Sequence, residues 1–187
     1  REKENNSENP EKIEDEFYQK IKVTFEEEYR SYYKYICVVQ ADGDNMGKIV
    51  SALPNEQVKD LSTALMKYGC EVSKMIEEYG GVPIYAGGDD LLFIAPVVSG
   101  KNGVENIFQL LSKIDECYQA GVDEGIEEKD RPKDEKGNLI HTTLSYGLSI
   151  SYYKYPLYEA LQSALDLLFG KAKNVVGKNA VAWRLRK

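Results

Sequence analysis

The sequence is short of several residue types, and each shortage excludes something. It has three cysteines (Cys37, Cys70, Cys117), an odd number with no CxxC spacing. A disulfide-stapled scaffold and a thiolate zinc site are out, and the chain reads as a resident of a reducing, cytoplasmic compartment. All three cysteines read as core residues. The one histidine, His141, precedes an apolar alternating segment. It reads as a partly exposed edge residue, with a general-base role as the alternative. No apolar run approaches the roughly 20 residues a membrane span requires, so no membrane partner is expected. Basic residues are outnumbered, 24 Lys and Arg against 31 Asp and Glu, for a net charge of −7. A protein that coats DNA without sequence preference has the opposite balance. No signal peptide is visible, and the first residue is Arg1 rather than Met, so the chain is expected to be a piece cut from a longer protein or a processed one.

What is present suffices for a core. Apolar residues make up 42% of 187, enough to exclude wholesale disorder and to fill one domain. The acidic excess is local, in residues 1–30 and in a charged stretch over 123–137. The tail is the reverse: 171–187 carries six cations (Lys171, Lys173, Lys178, Arg184, Arg186, Lys187) and no acid. Such a cluster either faces phosphate or is a solvated tail.

Residues 1–30 read as a polar leader followed by a lead-in helix on Ile13, Phe17, Ile21 and Phe25. A domain follows over 31–187, with a charged surface insertion near 123–138. Tyr35–Ala41 is a buried strand ending in the polar loop Asp42-Gly-Asp-Asn-Met-Gly47. Pro54–Tyr79 has a helical stripe, stopped by Gly80-Gly81. Val82–Ala86 and Leu91–Ala95 form a hairpin tipped by Gly87-Gly88-Asp89-Asp90. Helices over 104–120 and 156–169, a strand over 142–151 and a last strand over 180–185 complete the order, with Gly170 a candidate helix stop. The fold class is α+β: a ferredoxin-like palm with a mixed, mostly antiparallel sheet and helices on one face.

The acids carry the chemistry. Side chains alternate along a strand, so Asp42 and Asp44 point the same way. Two carboxylates at an apolar strand end repel, and a divalent cation cancels both. If the hairpin pairs beside the first strand, its tip brings Asp89 and Asp90 to the same place. Oxygen ligands favour two Mg²⁺ or Mn²⁺ ions, the arrangement for in-line attack at phosphorus. Gly87 and Gly88 let a phosphate approach the backbone, and Gly43 and Gly47 leave room for one. Lys173 and Lys178 are placed to neutralise outer phosphates. Either loop alone is an ordinary turn. Both together, each ending an apolar strand, favour a site.

QADGDNMGK (40–48), IYAGGDDLLF (84–93), SYGLSISYYKYPLYEAL (145–161) and KAKNVVGKNAVAW (171–183) resemble the polymerase/cyclase-like large subunit of type III CRISPR effector complexes, closest to the Cmr (III-B) branch. The GGDD hairpin and late lysines more distantly resemble GGDEF-type dinucleotide cyclases. The resemblance covers about residues 33–187. It implies a nucleotidyltransferase palm that makes cyclic oligoadenylate from ATP when target RNA is bound. Asp42, Asp89 and Asp90 are implied as catalytic metal ligands. Gly43, Asp44, Asn45 and Met46 are implied to line the triphosphate, although in related palms the second carboxylate of that loop points away. Gly87, Gly88, Lys173 and Lys178 are implied near phosphates, and Ser145 as a nucleotide contact. ATP, other complex subunits and guide and target RNA are the implied partners. One histidine cannot build the family's histidine–aspartate nuclease domain, and its zinc cysteines and first palm are missing, so a second palm copy would be needed to complete a lone site. The alternatives are a stand-alone cyclase making cyclic dinucleotides and a nucleotide-binding scaffold in a ribonucleoprotein.

Overall fold

A computed structural model describes residues 31–99 and 104–187, together with Asp15 and Gln19 as isolated helical positions. The expected leader and lead-in helix otherwise lie outside the described residues. Contacts divide the chain between Tyr33 and Lys34, and the sheet with its helices belongs to the unit Lys34–Lys187.

Five strands form one sheet. β1 spans Tyr35–Asp44, β2 Val82–Gly87, β3 Asp90–Pro96, β4 Thr143–Tyr152 and β5 Val181–Arg186, in the order β2-β3-β1-β4-β5. All neighbours are antiparallel except the parallel β4–β5 pair. β1 is central, and its Val-rich run is buried on both faces, with Cys37, Val38, Val39 and Ala41 fully covered. The strand does not stop at Ala41. Asp42, Gly43 and Asp44 remain in the ladder, paired with Ser145, Leu144 and Thr143. The expected loop is thereby shortened to a single left-handed residue, Asn45 (φ 64°), before helix α1 (Met46–Ala52).

The main core lies on one face of the sheet. Helix α2 (Asn55–Tyr79) brings Leu61, Tyr68, Val72 and Ile76, and helix α3 (Ile107–Tyr118) brings Leu110, Leu111 and Ile114. They meet Val39, Phe93, Tyr146 and Leu148 from the strands. Burying each such side chain stabilises the fold by about 1.5–3 kcal/mol. Gly80, left-handed at φ 103°, ends α2 as its sequence suggests. Asn106 and Gln109 form a capping box that starts α3.

The expectation of helices on one face holds for α1, α2 and α3 but not for the next helix. Helix α4 (Leu157–Leu167) lies on the opposite face, where Ala160 and Ala164 pack on Val38. Its approach is close because β4 has no side chain at Gly147. A Cβ there would collide with the carbonyl of Ala164. Nor does Gly170 stop the helix: α4 passes into a π-helical segment, Leu168–Val176, that ends at left-handed Gly177. The first half of the 123–138 stretch is tied down, while residues 133–138 are exposed. Asp123, closing a π-helical turn (Gln119–Asp123), and Arg131 are buried. Cys37 is core as expected, but Cys70 is exposed and Cys117 half-buried.

Candidate nucleotide and metal site

The ends of β1, β3 and β4 and the π-helical segment after α4 converge on the residues singled out by their chemistry. Asp42 and Asp44 share a face of β1, the α4 face, by strand alternation. Asp44 is wholly buried. Its Oδ2 accepts hydrogen bonds from the Thr143 hydroxyl (2.9 Å), the Ser145 hydroxyl (2.7 Å) and the Asn179 backbone N–H (2.8 Å). Three donors on one oxygen fix its orientation. Asp44 and Ser145 thus face each other rather than solvent.

Lys173, carried by the π-helical segment, donates to Asp42 Oδ2 and to the Gly43 carbonyl (2.9 Å), and its Nζ stands 3.4 Å from Asp44 Oδ1. That Asp44 oxygen is buried without a hydrogen bond. Burial, and after it Lys178, push the Lys173 ammonium down to about 8. Lys178, itself left-handed at φ 80°, donates to Asn45 Oδ1 (2.8 Å), and Asn45 Nδ2 donates to the His141 carbonyl (3.1 Å). Met46 packs its side chain against the main core, leaving only backbone to the loop.

The hairpin turn has two residues rather than four, because Gly87 pairs with Asp90. Gly88 is its left-handed corner (φ 65°). The register Ala41↔Leu91, continued by one residue, sets Asp90 opposite Asp42 on the same face. Asp90 is exposed. Asp89 lies across β1 from them: a Cβ on Gly43 would stand 2.5 Å from its carboxylate. Burial raises the Asp89 pKa, its own backbone N–H lowers it, and the Asp90 charge raises it further. The expected convergence is therefore partial. Asp42 and Asp90 share a face, Asp89 sits behind Gly43, and Asp44 gives one oxygen to β4 and Asn179 and turns the other toward Lys173. Among the described residues, no three His, Cys, Asp or Glu side chains surround one point. The donors at this end, Asp42 Oδ2, the Gly43 carbonyl and the orphaned Asp44 Oδ1, are all hard oxygens around a cationic ammonium, a set that fits Mg²⁺ or Mn²⁺.

The sequence reading missed a buried network behind this loop. Asp123 accepts from Arg131 Nη1 (2.8 Å) and the Thr142 N–H (2.8 Å), with His141 Nδ1 at 2.9 Å. The Thr142 hydroxyl donates to the Asp44 carbonyl (2.9 Å) and stands 2.8 Å from the Tyr118 hydroxyl. No periodicity marks such residues, and their charged neighbours suggest a surface. An open cleft of about 690 Å³ between α1 and residues 132–140 is lined by Lys48, Lys133 and Lys136 with the acids Asp134 and Glu135.

A five-stranded sheet with a Gly-Gly-Asp-Asp hairpin beside an Asp-tipped central strand defines a nucleotide-cyclase-like palm. Solved structures that share this fold include the following three. Csm1 of T. onnurineus superposes with a TM-score of 0.56 at 20% identity, over 79% of this chain and 20% of that one. A Csm1–Csm4 cassette in complex with cA4 gives 0.55 at 17%, over 82% and 21%. The active GGEEF domain of a Vibrio cholerae diguanylate cyclase gives 0.52 at 16%, over 91% and 90%. Residues 35–182 match the family model described as the Cas10/Cmr2 second palm domain, and the chain belongs to that family. The CRISPR system Cmr subunit Cmr2 of Pyrococcus furiosus is 30% identical over 182 residues, which cover 82% of this chain and 19% of that protein. No described helix is long and apolar enough to cross a membrane.

Proposed function

We propose that this palm is the nucleotidyltransferase domain of a type III CRISPR large subunit, and that it makes cyclic oligoadenylate from ATP. The 3′-hydroxyl of one ATP attacks the α-phosphate of another, the bond from that phosphorus to the bridging oxygen breaks, and pyrophosphate leaves. The reading rests on one observation: Asp42 and Asp90 share a sheet face at the end of β1 and β3, with Lys173 on Asp42, in a chain of the Cas10/Cmr2 second-palm family.

Asp42 and Asp90, which share the sheet face, would hold Mg²⁺ or Mn²⁺ together with the Gly43 carbonyl, and Asp89 would add its charge from the hairpin tip behind Gly43. When bound, those ions would lower the pKa of the attacking hydroxyl and offset charge on the phosphates. The chain's own part is positioning. The backbone from Gly43 to Met46 borders the triphosphate, Gly87 and Gly88 keep the hairpin tip clear of side chains, and Lys178, anchored on Asn45, faces the outer phosphates. Asp44 and Ser145 act from behind by fixing the end of β1 on β4. Other complex subunits with guide and target RNA, a cytoplasmic location and a second palm completing the site belong to the same reading.

The test is the double substitution Asp89→Ala with Asp90→Ala. ATP turnover should fall by at least about a hundredfold, the scale on which preorganised charge contributes to catalysis. The thermal unfolding midpoint should hold, since neither side chain belongs to the core. Undiminished product would overturn the assignment, and chromatography of the product separates cyclic oligoadenylate from a cyclic dinucleotide.

A further inference from the structure

Lys173 does not sit among these oxygens as an ordinary surface ion pair. Its side chain is only 15% exposed, and the ammonium contacts an Asp42 carboxylate oxygen and the Gly43 carbonyl, with Asp44 Oδ1 at 3.4 Å. Asp44 Oδ1 has no hydrogen-bond partner and no access to water. A buried, unpartnered carboxylate oxygen is costly, and it is aimed at the place the ammonium occupies. Two carboxylates and a carbonyl around a cation are the ligand chemistry of a hard divalent ion, here satisfied by the chain itself.

We infer that Lys173 is the resident cation of the Asp42–Gly43–Asp44 oxygen set, and that it must leave Asp42 before a divalent ion is held there. The inference rests on the proposed metal-dependent function and adds its regulation. An ammonium and a divalent ion cannot share one small oxygen set, because their repulsion in a partly buried site is strong. Asp42 and Asp44 together cancel one divalent ion, which leaves Lys173 without a counter-charge. The phosphates of a bound nucleotide supply one. Lys173 stands on the last turns of a π-helical segment, Leu168–Val176, that is followed by three left-handed residues, Gly177, Lys178 and Asn179. It therefore has a long side chain on an irregular support, and can swing without unwinding α4. Metal binding and nucleotide binding are then coupled through one lysine, each strengthening the other by the same factor.

The experiment measures Mn²⁺ affinity by electron paramagnetic resonance on the nucleotide-free 187-residue chain. Lys173→Met keeps the length of the side chain and removes the competitor. Mn²⁺ should bind it more tightly than wild type by about tenfold, the factor a partly buried charge pair commonly carries. Lys173→Arg keeps the competitor and should bind Mn²⁺ no better than wild type. Lys173→Gln repeats the reading if the thioether disturbs packing. Binding of a fluorescent, non-hydrolysable ATP analogue should weaken in Lys173→Met, the opposite sign to its gain in Mn²⁺. Equal or weaker Mn²⁺ binding by both neutral variants overturns the exchange. If wild type then still binds Mn²⁺ with the analogue present, the exchange falls alone and the proposed function stands. If no form binds Mn²⁺ even with the analogue, the proposed function falls with it.

Discussion

Asp123 shows how much one carboxylate can organise. Burial alone would raise its pKa, but hydrogen bonds from Arg131, His141 and the Thr142 N–H, with the Arg131 charge, more than offset that, and the pKa is lowered. The fold therefore binds the ionised form. A carboxyl depressed in the native state adds stability that is fully present above its unfolded pKa, and that stability is lost as pH falls through the folded value. Asp89 runs the other way, because its raised pKa favours the protonated form in the fold. We expect wild-type protein to lose stability as pH drops below the ordinary aspartate range, and Asp123→Asn to lose less over the same interval. Urea midpoints at neutral and acid pH measure this. Equal acid sensitivity in the two proteins would remove Asp123 from the account. Because Thr142 links this carboxylate to the Asp44 carbonyl, the substitution should also loosen the loop at Asn45.

At the scale of elements, the close seating of α4 on β4 decides where Lys173 can reach. Gly147→Ala would drive a Cβ into backbone at Ala164 and Leu168, which no rotamer can relieve. Overpacking of this kind costs about 1–3 kcal/mol. The helix should lift, carrying the π-helical segment with it, so ATP-analogue affinity should fall along with the unfolding midpoint. A fall in stability with unchanged affinity would separate the helix seat from the site. The same elements mark what the sequence could and could not tell. The apolar run of β1, the Gly-Gly-Asp-Asp hairpin and the stripe of α2 are local patterns, and each was legible. The extension of β1 to Asp44 was not, because Asp-Gly-Asp reads as a turn until Thr143, 99 positions away, pairs with it. The passage of α4 through Gly170 was hidden for a similar reason: glycine is a stop signal only where tertiary contacts do not override it. The Asp123–Arg131 pair was masked by acids around it that suggest solvent. The separation of Asp89 from Asp42 depends on which side of β1 the turn falls, and the spacing of GGDD does not specify that.

For the whole molecule, the order β2-β3-β1-β4-β5 places the earliest strand at the centre and requires later ones to close around it. The chain spans about a fifth (19%) of the length of its Pyrococcus furiosus relative. The oxygen that fixes Asp44 has partners 99, 101 and 135 positions onward. Contacts of such long separation form slowly, since loop closure precedes any reward. On refolding from urea, helical circular dichroism should recover before ATP-analogue binding does, and simultaneous recovery would contradict this order. A ribosome making this domain meets the same constraint. The Gly-Gly-Asp-Asp turn emerges early, but the nascent polypeptide cannot pin Asp44 until Asn179 has cleared the exit tunnel, so the end of β1 is left unfastened for most of synthesis.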